Sequence, residues 1–188
     1  MKKGKLIILS GPSGVGKGTV REEVFKKPEL NLAYSISMTT RKPRPGEIDG
    51  KDYYFVSEDV FRTKIAQNGF LEYAEFVGNF YGTPQDKVEE LLISGKNVML
   101  EIEVQGALQV MKKVPEALTI FLVPPSLNEL EKRIRGRRTE AEDVVQARLS
   151  KAEKEIKTKD EYKYVVVNSK VHQAADEIAQ IIQSNITE

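Results

Sequence analysis

Short apolar runs alternate along this chain with longer stretches whose apolar positions recur every three or four residues. Lys5 to Ser10 (KLIILS) is apolar almost throughout and stops against Gly11, as expected of a strand buried on both faces. Asn97 to Ile102 (NVMLEI) and Leu118 to Val123 (LTIFLV) repeat the signature, and Tyr164 to Asn168 (YVVVN) reads as a late strand. Elsewhere the period becomes helical. Val20 to Lys27 reads as a helix closed by Pro28, and Ala141 to Lys157 as a long charged one. Val171 to Asn185 is amphipathic, with Ala175, Ile178, Ile181 and Ile182 on one face. Ser57 caps a helix reaching Asn68 with Gly69 as its stop, and Ser126 opens one towards Arg135. Thr83-Pro84 starts a helix, with proline at the first helical position, that Gly95 ends. Ala33 to Met38, Tyr53 to Val56 and Phe70 to Val77 look extended, and Gly78-Asn79 turns the last one back. Thr39 to Asp52 holds Pro43, Pro45, Gly46 and Gly50 and reads as loop.

Strands alternating with helices predict an α/β fold, a mostly parallel sheet covered on both faces. The stretches 34–83 and 125–160 read as insertions into it. A chain of 188 residues fits one domain of ordinary size. Its 29 basic and 28 acidic side chains leave a net charge of +1, too little to attract nucleic acid or an anionic membrane. Cysteine is absent, which excludes disulfides, thiolate metal sites and a cysteine nucleophile and fits a reducing cytoplasm. No run approaches the ~20 apolar residues of a membrane span, and the start lacks a signal-peptide pattern. The expectation is a cytoplasmic protein without nucleic-acid or membrane partners, its oligomeric state open.

The candidate chemistry begins at Gly11-Pro12-Ser13-Gly14-Val15-Gly16-Lys17, between a buried strand and a helix. Glycines let such a loop curl so that successive N–H groups point at phosphate oxygens. The helix N-terminus and Lys17 add positive charge. Glycine-rich turns also arise for packing alone, but lysine in register after a strand favours phosphate binding. Downstream, Arg41 and Arg44 lie in a proline-stiffened loop. Alone they fit a solvated basic loop as well as a clamp on one phosphate dianion; beside the glycine loop, Tyr53 and Tyr81, the clamp is the stronger reading. Glu72 and Glu103 are carboxylate acceptors, suited to a partner that presents N–H donors. By themselves they read equally well as a strand carboxylate and a helix N-terminal charge. Lys132, Arg133, Arg135, Arg137 and Arg138 form a basic cluster near a helix end, either a solvated face or charge held for a moving phosphoryl group. His172, the only histidine, is read as structural or solvated.

With Ser37-Met38-Thr39-Thr40-Arg41-Lys42-Pro43-Arg44-Pro45-Gly46-Glu47 added to the glycine loop, the chain resembles the guanylate kinase family. The resemblance continues in order through Asp49 to Tyr53, Gly78 to Thr83, Glu101 to Glu103, Gln105-Gly106, Pro124 to Ser126, Gly136-Arg137, Arg148 and Val167-Asn168. It implies a three-layer P-loop kinase fold with core segments 1–33, 84–124 and 161–188. A GMP-binding lobe would occupy 34–83 and a helical lid 125–160. It implies transfer of the ATP γ-phosphate to GMP, and to dGMP, with Mg²⁺, in purine nucleotide metabolism. Carried over by position, Gly11, Pro12, Ser13, Gly14, Val15, Gly16, Lys17, Gly18, Thr19, Arg137 and Asn168 would bind ATP. Ser37, Arg41, Arg44, Tyr53, Glu72, Tyr81, Thr83 and Glu103 would bind GMP. Lys17, Arg41, Arg133, Arg137 and Arg148 would form the catalytic set. The common family run Gly-Arg-Gly-Thr has Arg138 in place of its second glycine, which leaves Arg137 and Arg138 competing for the nucleotide. The hydroxyl that usually follows the lysine is absent at Gly18 and arrives at Thr19. Phosphate, water and Glu101, directly or through water, are then expected to hold the metal, with Thr19 a further candidate. A kinase for another monophosphate and a phosphate-loop fold kept only for protein binding are the competing readings. Glu72 and Glu103 oppose the first, and the intact loop with Lys17, Arg41 and Arg44 opposes the second.

Overall fold

All five residues of the first strand, β1 (Leu6–Ser10), are buried, because alternate side chains enter two different cores. Ile7 and Leu9 join one cluster, and Leu6 and Ile8 the other. The structure, a computed structural model, describes residues 2–136 and 141–186. In chain order β1 is followed by α1 (Lys17–Phe25), β2 (Leu32–Tyr34), β3 (Met38–Thr39), β4 (Tyr54–Phe55), α2 (Glu58–Ala66), β5 (Phe70–Phe76) and β6 (Asn79–Pro84). Then come α3 (Gln85–Ile93), β7 (Asn97–Glu101), α4 (Val104–Lys113), β8 (Leu118–Val123) and α5 (Leu127–Arg135). α6 (Glu142–Ile156), β9 (Tyr164–Val167) and α7 (Val171–Ile186) complete the fold.

The five-stranded sheet has the order β2-β7-β1-β8-β9, and every pairing in it is parallel. α1 and α7 cover one face through Val20, Val24, Ala175, Ile178 and Ile182. α3 and α4 cover the other through Val88, Leu92, Val104, Ala107 and Val110. This is the three-layer α/β arrangement expected from the alternation of elements. β1 is central, so the loop leaving its carboxyl end opens over the middle of the sheet. α5 and α6 carry a separate small core of Leu130, Ile134, Val145 and Ala152, with Leu149 packed against it.

A second, four-stranded sheet runs β4-β3-β6-β5, with antiparallel β5-β6 and β3-β6 pairings. Phe61 of α2 stacks on Phe70 and Phe80 beneath it. This sheet accounts for the main departures from the sequence reading. The run Ala33 to Met38 divides: β2 joins the parallel sheet while β3 joins the second one. β6 was not foreseen, and the hairpin turns at Val77 (φ 49) and Gly78 (φ 70) instead of Gly78-Asn79. Two positive φ angles match the twist of a tight hairpin, and the valine is an unusual occupant of that position. Pro84 is the N-cap of α3 and not its first residue. α4 carries no side-chain cap bond at Glu103 and holds Gly106 in its first turn, so local signals were weak. Among the described residues no helix is long and apolar enough to cross a membrane.

Candidate active site

The loop after β1 keeps its shape through glycines that a side chain would disrupt. Gly14 and Gly16 have φ of 84 and 97. A Cβ on Gly16 would lie 2.8 Å from Asn168 Nδ2, and one on Gly14 would lie 3.0 Å from Ile134 Cγ1. The loop is thus pressed between β9's end and α5. Asn168 Nδ2 donates to Val15 O at 2.8 Å. Arg133 donates to Val15 O at 3.3 Å and to Asn168 O at 2.9 Å. Arg133 therefore braces the outer side of the loop. From α6, Arg148 donates to Ser13 Oγ at 3.2 Å. Arg137 and Arg138 lie outside the described residues.

Inside the loop lies a cavity of about 370 Å³, bounded by Gly11, Ser13, Gly14, Gly16, Lys17, Gly18 and Thr19 and by Glu101, Glu103 and Glu155. Lys17 Nζ donates to Gly11 O at 2.7 Å and Pro12 O at 3.2 Å. Burial pushes its pKa down, while Glu101, Glu155 and Glu103 pull the other way. Glu101, at the end of β7, pairs with Arg21 at 3.3 Å, and that guanidinium lies 4.5 Å above the Tyr34 ring. A Cβ on Gly18 would sit 3.6 Å from Glu101 Oε1, so the acid faces the position where a hydroxyl was expected.

The second sheet gathers most of the other predicted residues. Arg41, just beyond β3, makes a two-pronged pair with Glu47 at 2.9 and 2.8 Å, and the Arg44 main-chain N–H donates to Glu47 at 2.7 Å. The Arg41 side chain, and then the Arg44 N–H, pulls the Glu47 carboxyl down to about 2. Tyr53 and Tyr81 meet edge-on at 6.1 Å, and Arg41 lies 5.4 Å from the Tyr53 ring centre. Sequence reasoning included Glu47 in its motif but assigned it no role. Its signal was an acid in a proline-glycine loop one turn beyond the arginines.

Glu72 on β5 is 8% exposed and accepts the Thr83 hydroxyl at 2.6 Å. Burial pushes its pKa up, with Thr83 opposing. Its carboxylate lies over the start of α4, where a Cβ on Gly106 would come within 2.8 Å of Oε2. Gly106 makes room for that acid. Ser37 lies between β2 and β3, and its carbonyl accepts Tyr54 N at 2.9 Å. Glu103 is the N-cap of α4 and is largely exposed, its carboxylate 3.2 Å from Lys151 on α6. Lys151, Arg21 and Glu155 were not foreseen at all. Each lies in an ordinary charged helix pattern, and only the fold brings Glu155 to the cavity and the two cations to the acids that line it.

A glycine loop at the carboxyl end of the central strand of a parallel sheet, with an acid on the adjacent strand, defines a P-loop kinase fold. The chain matches the family model described as guanylate kinase over residues 3–185. It is 55% identical over 183 residues to the guanylate kinase of Streptococcus thermophilus, covering 97% of this chain and 88% of that one. It is 57% identical over 183 residues to that of Listeria innocua, covering 97% and 89%. It resembles the crystal structure of guanylate kinase from Anaplasma phagocytophilum with a TM-score of 0.76 and 34% identity, over 100% of this chain and 88% of that one. The SH3-kinase fragment of tight junction protein 3 shares the fold alone, at a TM-score of 0.52 and 11% identity, over 100% of this chain and 58% of that one. The chain belongs to the guanylate kinase family and is an enzyme, an ATP:GMP phosphotransferase.

Proposed function

We propose that this enzyme passes the ATP γ-phosphoryl directly to a phosphate oxygen of GMP or dGMP, with no covalent enzyme intermediate. The observation that carries this reading is the single cavity in which the phosphate loop and Lys17 face Glu101 and Glu103. In this reading residues 34–83 form the acceptor lobe, 125–160 the lid, and the remainder the core. Gly11 to Thr19 would wrap the donor phosphates, and Asn168, which holds the loop at Val15 O, would support the donor site.

Arg41, Arg44, Tyr53 and Tyr81 would hold the GMP phosphate. Glu72 and Glu103 would accept from guanine N1–H and N2–H₂, with Ser37 and Thr83 alongside. Buried Glu72 supports guanine selectivity, because a misfit base leaves its acceptor unpaired. A GMP phosphate oxygen is already anionic, so no side chain has to remove a proton. The chain's work is then positioning and charge stabilisation by Lys17, Arg148 and the other lid arginines, with lid closure excluding water.

Among the described residues no cluster of three or more His, Asp or Glu side chains forms a metal cage. Glu101 and Thr19 on one cavity wall do suit a partly hydrated Mg²⁺ held largely by phosphate. Such an ion would neutralise charge on the transferring phosphate. The test is ADP release measured with GMP, dGMP, AMP, UMP and dTMP in turn. The expected result is turnover with the two guanine nucleotides and little with the rest; equal turnover with AMP refutes the assignment of Glu72 and Glu103.

A further inference from the structure

Glu155, near the end of α6, is a carboxylate in a place that neither stability nor phosphate affinity explains. The residue is 8% exposed, and its Oε2 is buried without a hydrogen-bond partner. Burying an acid with an unpaired oxygen costs stability. It also lines the cavity of the phosphate loop, where a negative charge opposes a polyphosphate. Its surroundings are specific. Lys151 Nζ lies 3.7 Å from Oε1. Burial pushes the Glu155 pKa up, with Lys151, Lys17 and the Ser13 main chain opposing.

The neighbours on the same helix face complete the picture. Arg148 reaches the Ser13 hydroxyl at 3.2 Å, and Lys151 reaches Glu103 at 3.2 Å. Arg148, Lys151 and Glu155 follow a three-then-four spacing, so one face of α6 lies across the cavity. Through Arg148 this face reaches the Ser13 hydroxyl, and Glu155 lines the same cavity as Ser13.

We infer that Glu155 is a positioning residue: it seats the lid helix on Ser13 of the phosphate loop, so that Arg148 is held against the transferring phosphoryl group. The inference rests on the proposed phosphoryl transfer. It separates two effects that a structural residue moves together. Removing the carboxylate takes a repelling charge out of the cavity, so ATP binding is not weakened. It also unseats Arg148 and leaves the cavity open to water.

The experiment compares wild type with Glu155→Ala and Glu155→Gln, measuring kcat, KM for ATP, and the ratio of ATP hydrolysed to GMP phosphorylated. That ratio does not depend on how much of the protein is folded. The expected result for Glu155→Ala is a kcat lowered about tenfold or more, with KM for ATP unchanged or lower and the hydrolysis ratio raised about tenfold. Glu155→Gln keeps an oxygen towards the Ser13 main chain and is expected to recover most of the loss. A kcat within about twofold of wild type in Glu155→Ala overturns the inference. So does a joint loss of kcat and ATP affinity at an unchanged ratio, or a Gln variant as poor as Ala. If the Ala variant does not fold, Lys151→Met at the half-exposed partner reads the same ratio. A smaller rise supports the inference and an unchanged ratio overturns it. A wild-type enzyme that released no ADP with GMP would instead count against the function on which the inference stands.

Discussion

At the proposed donor end of the cleft the substrate-facing surface is main chain, curled by Gly11, Gly14 and Gly16 with φ of 152, 84 and 97. At the proposed acceptor end it would be made of side chains, Arg41, Tyr53, Tyr81 and Glu72, on or beside the second sheet. The main-chain site is held by the fold itself, through Asn168 and Arg133 on Val15 O. The side-chain site is held by partners that substrate must replace or join. Arg41 already has both prongs on Glu47, and Glu72 already accepts from Thr83. A peptide N–H has no rotamer to lose and no counter-ion to exchange, whereas a guanidinium has both. Donor binding should therefore tolerate most side-chain changes, with Lys17 the exception, and acceptor binding should respond to each one.

The largest expected effect breaks the donor end at that exception. Lys17→Met removes the full positive charge from a cradle otherwise made of dipoles. kcat should fall about 10³-fold, close to 4 kcal/mol of transition-state stabilisation. GMP affinity, measured by calorimetry, should hold within about twofold. Near-normal turnover in this variant would remove the loop from the mechanism.

The next effect tests the acceptor end at its buried point. Glu72→Gln turns one acceptor into an amide that presents N–H to guanine's own donors. kcat/KM for GMP should fall about 10²-fold, and the GMP-to-AMP preference should shrink with it. A preference that survives intact would place guanine recognition elsewhere.

Arg41→Met acts on the more exposed acceptor group and should do less. KM for GMP should rise about 10- to 100-fold, as expected for loss of a two-pronged charged contact, while KM for ATP stays within about twofold. Equal changes in both would mean that the two ends of the cleft are not independent.

The same contrast decides what could be read from the sequence. The phosphate loop is local, a strand followed by the seven positions Gly11 to Lys17, so its place follows from neighbouring residues. The acceptor end depends on long-range pairing. Glu72 and Thr83 meet only because β6 folds back on β5, and β6 left little trace in the pattern beyond a misplaced turn. Gly106 reads as a poor helix residue until the fold brings Glu72 within 2.8 Å of its missing Cβ. The parallel sheet was legible because strands buried on both faces are continuously apolar. The second sheet was less so, with short two-residue strands such as β3 and β4. Lys151 and Glu155 were hidden for a different reason. On a charged helix, sequence does not say which charges turn inward.

The smallest expected effect sharpens the claim that the acceptor clamp is held ready by an internal partner. Glu47 carries a carboxyl pulled down to about 2 by Arg41 and the Arg44 N–H, from an ordinary value near 4.5. A depressed folded-state pKa adds stability that is complete above the ordinary value and is lost as pH falls towards 2. Glu47→Gln removes that component. Its melting temperature should therefore drop less steeply than wild type's between about pH 5 and pH 2.5. The difference should be small and should shrink in salt, because the pair is only partly buried. At neutral pH the variant should bind GMP with an altered rate and a modest change in affinity, since Arg41 loses the partner that aims it but also the one it must release. Identical acid slopes in the two proteins would show that Glu47 does not hold the clamp, and Arg41 would then be as preformed as the loop across the cleft.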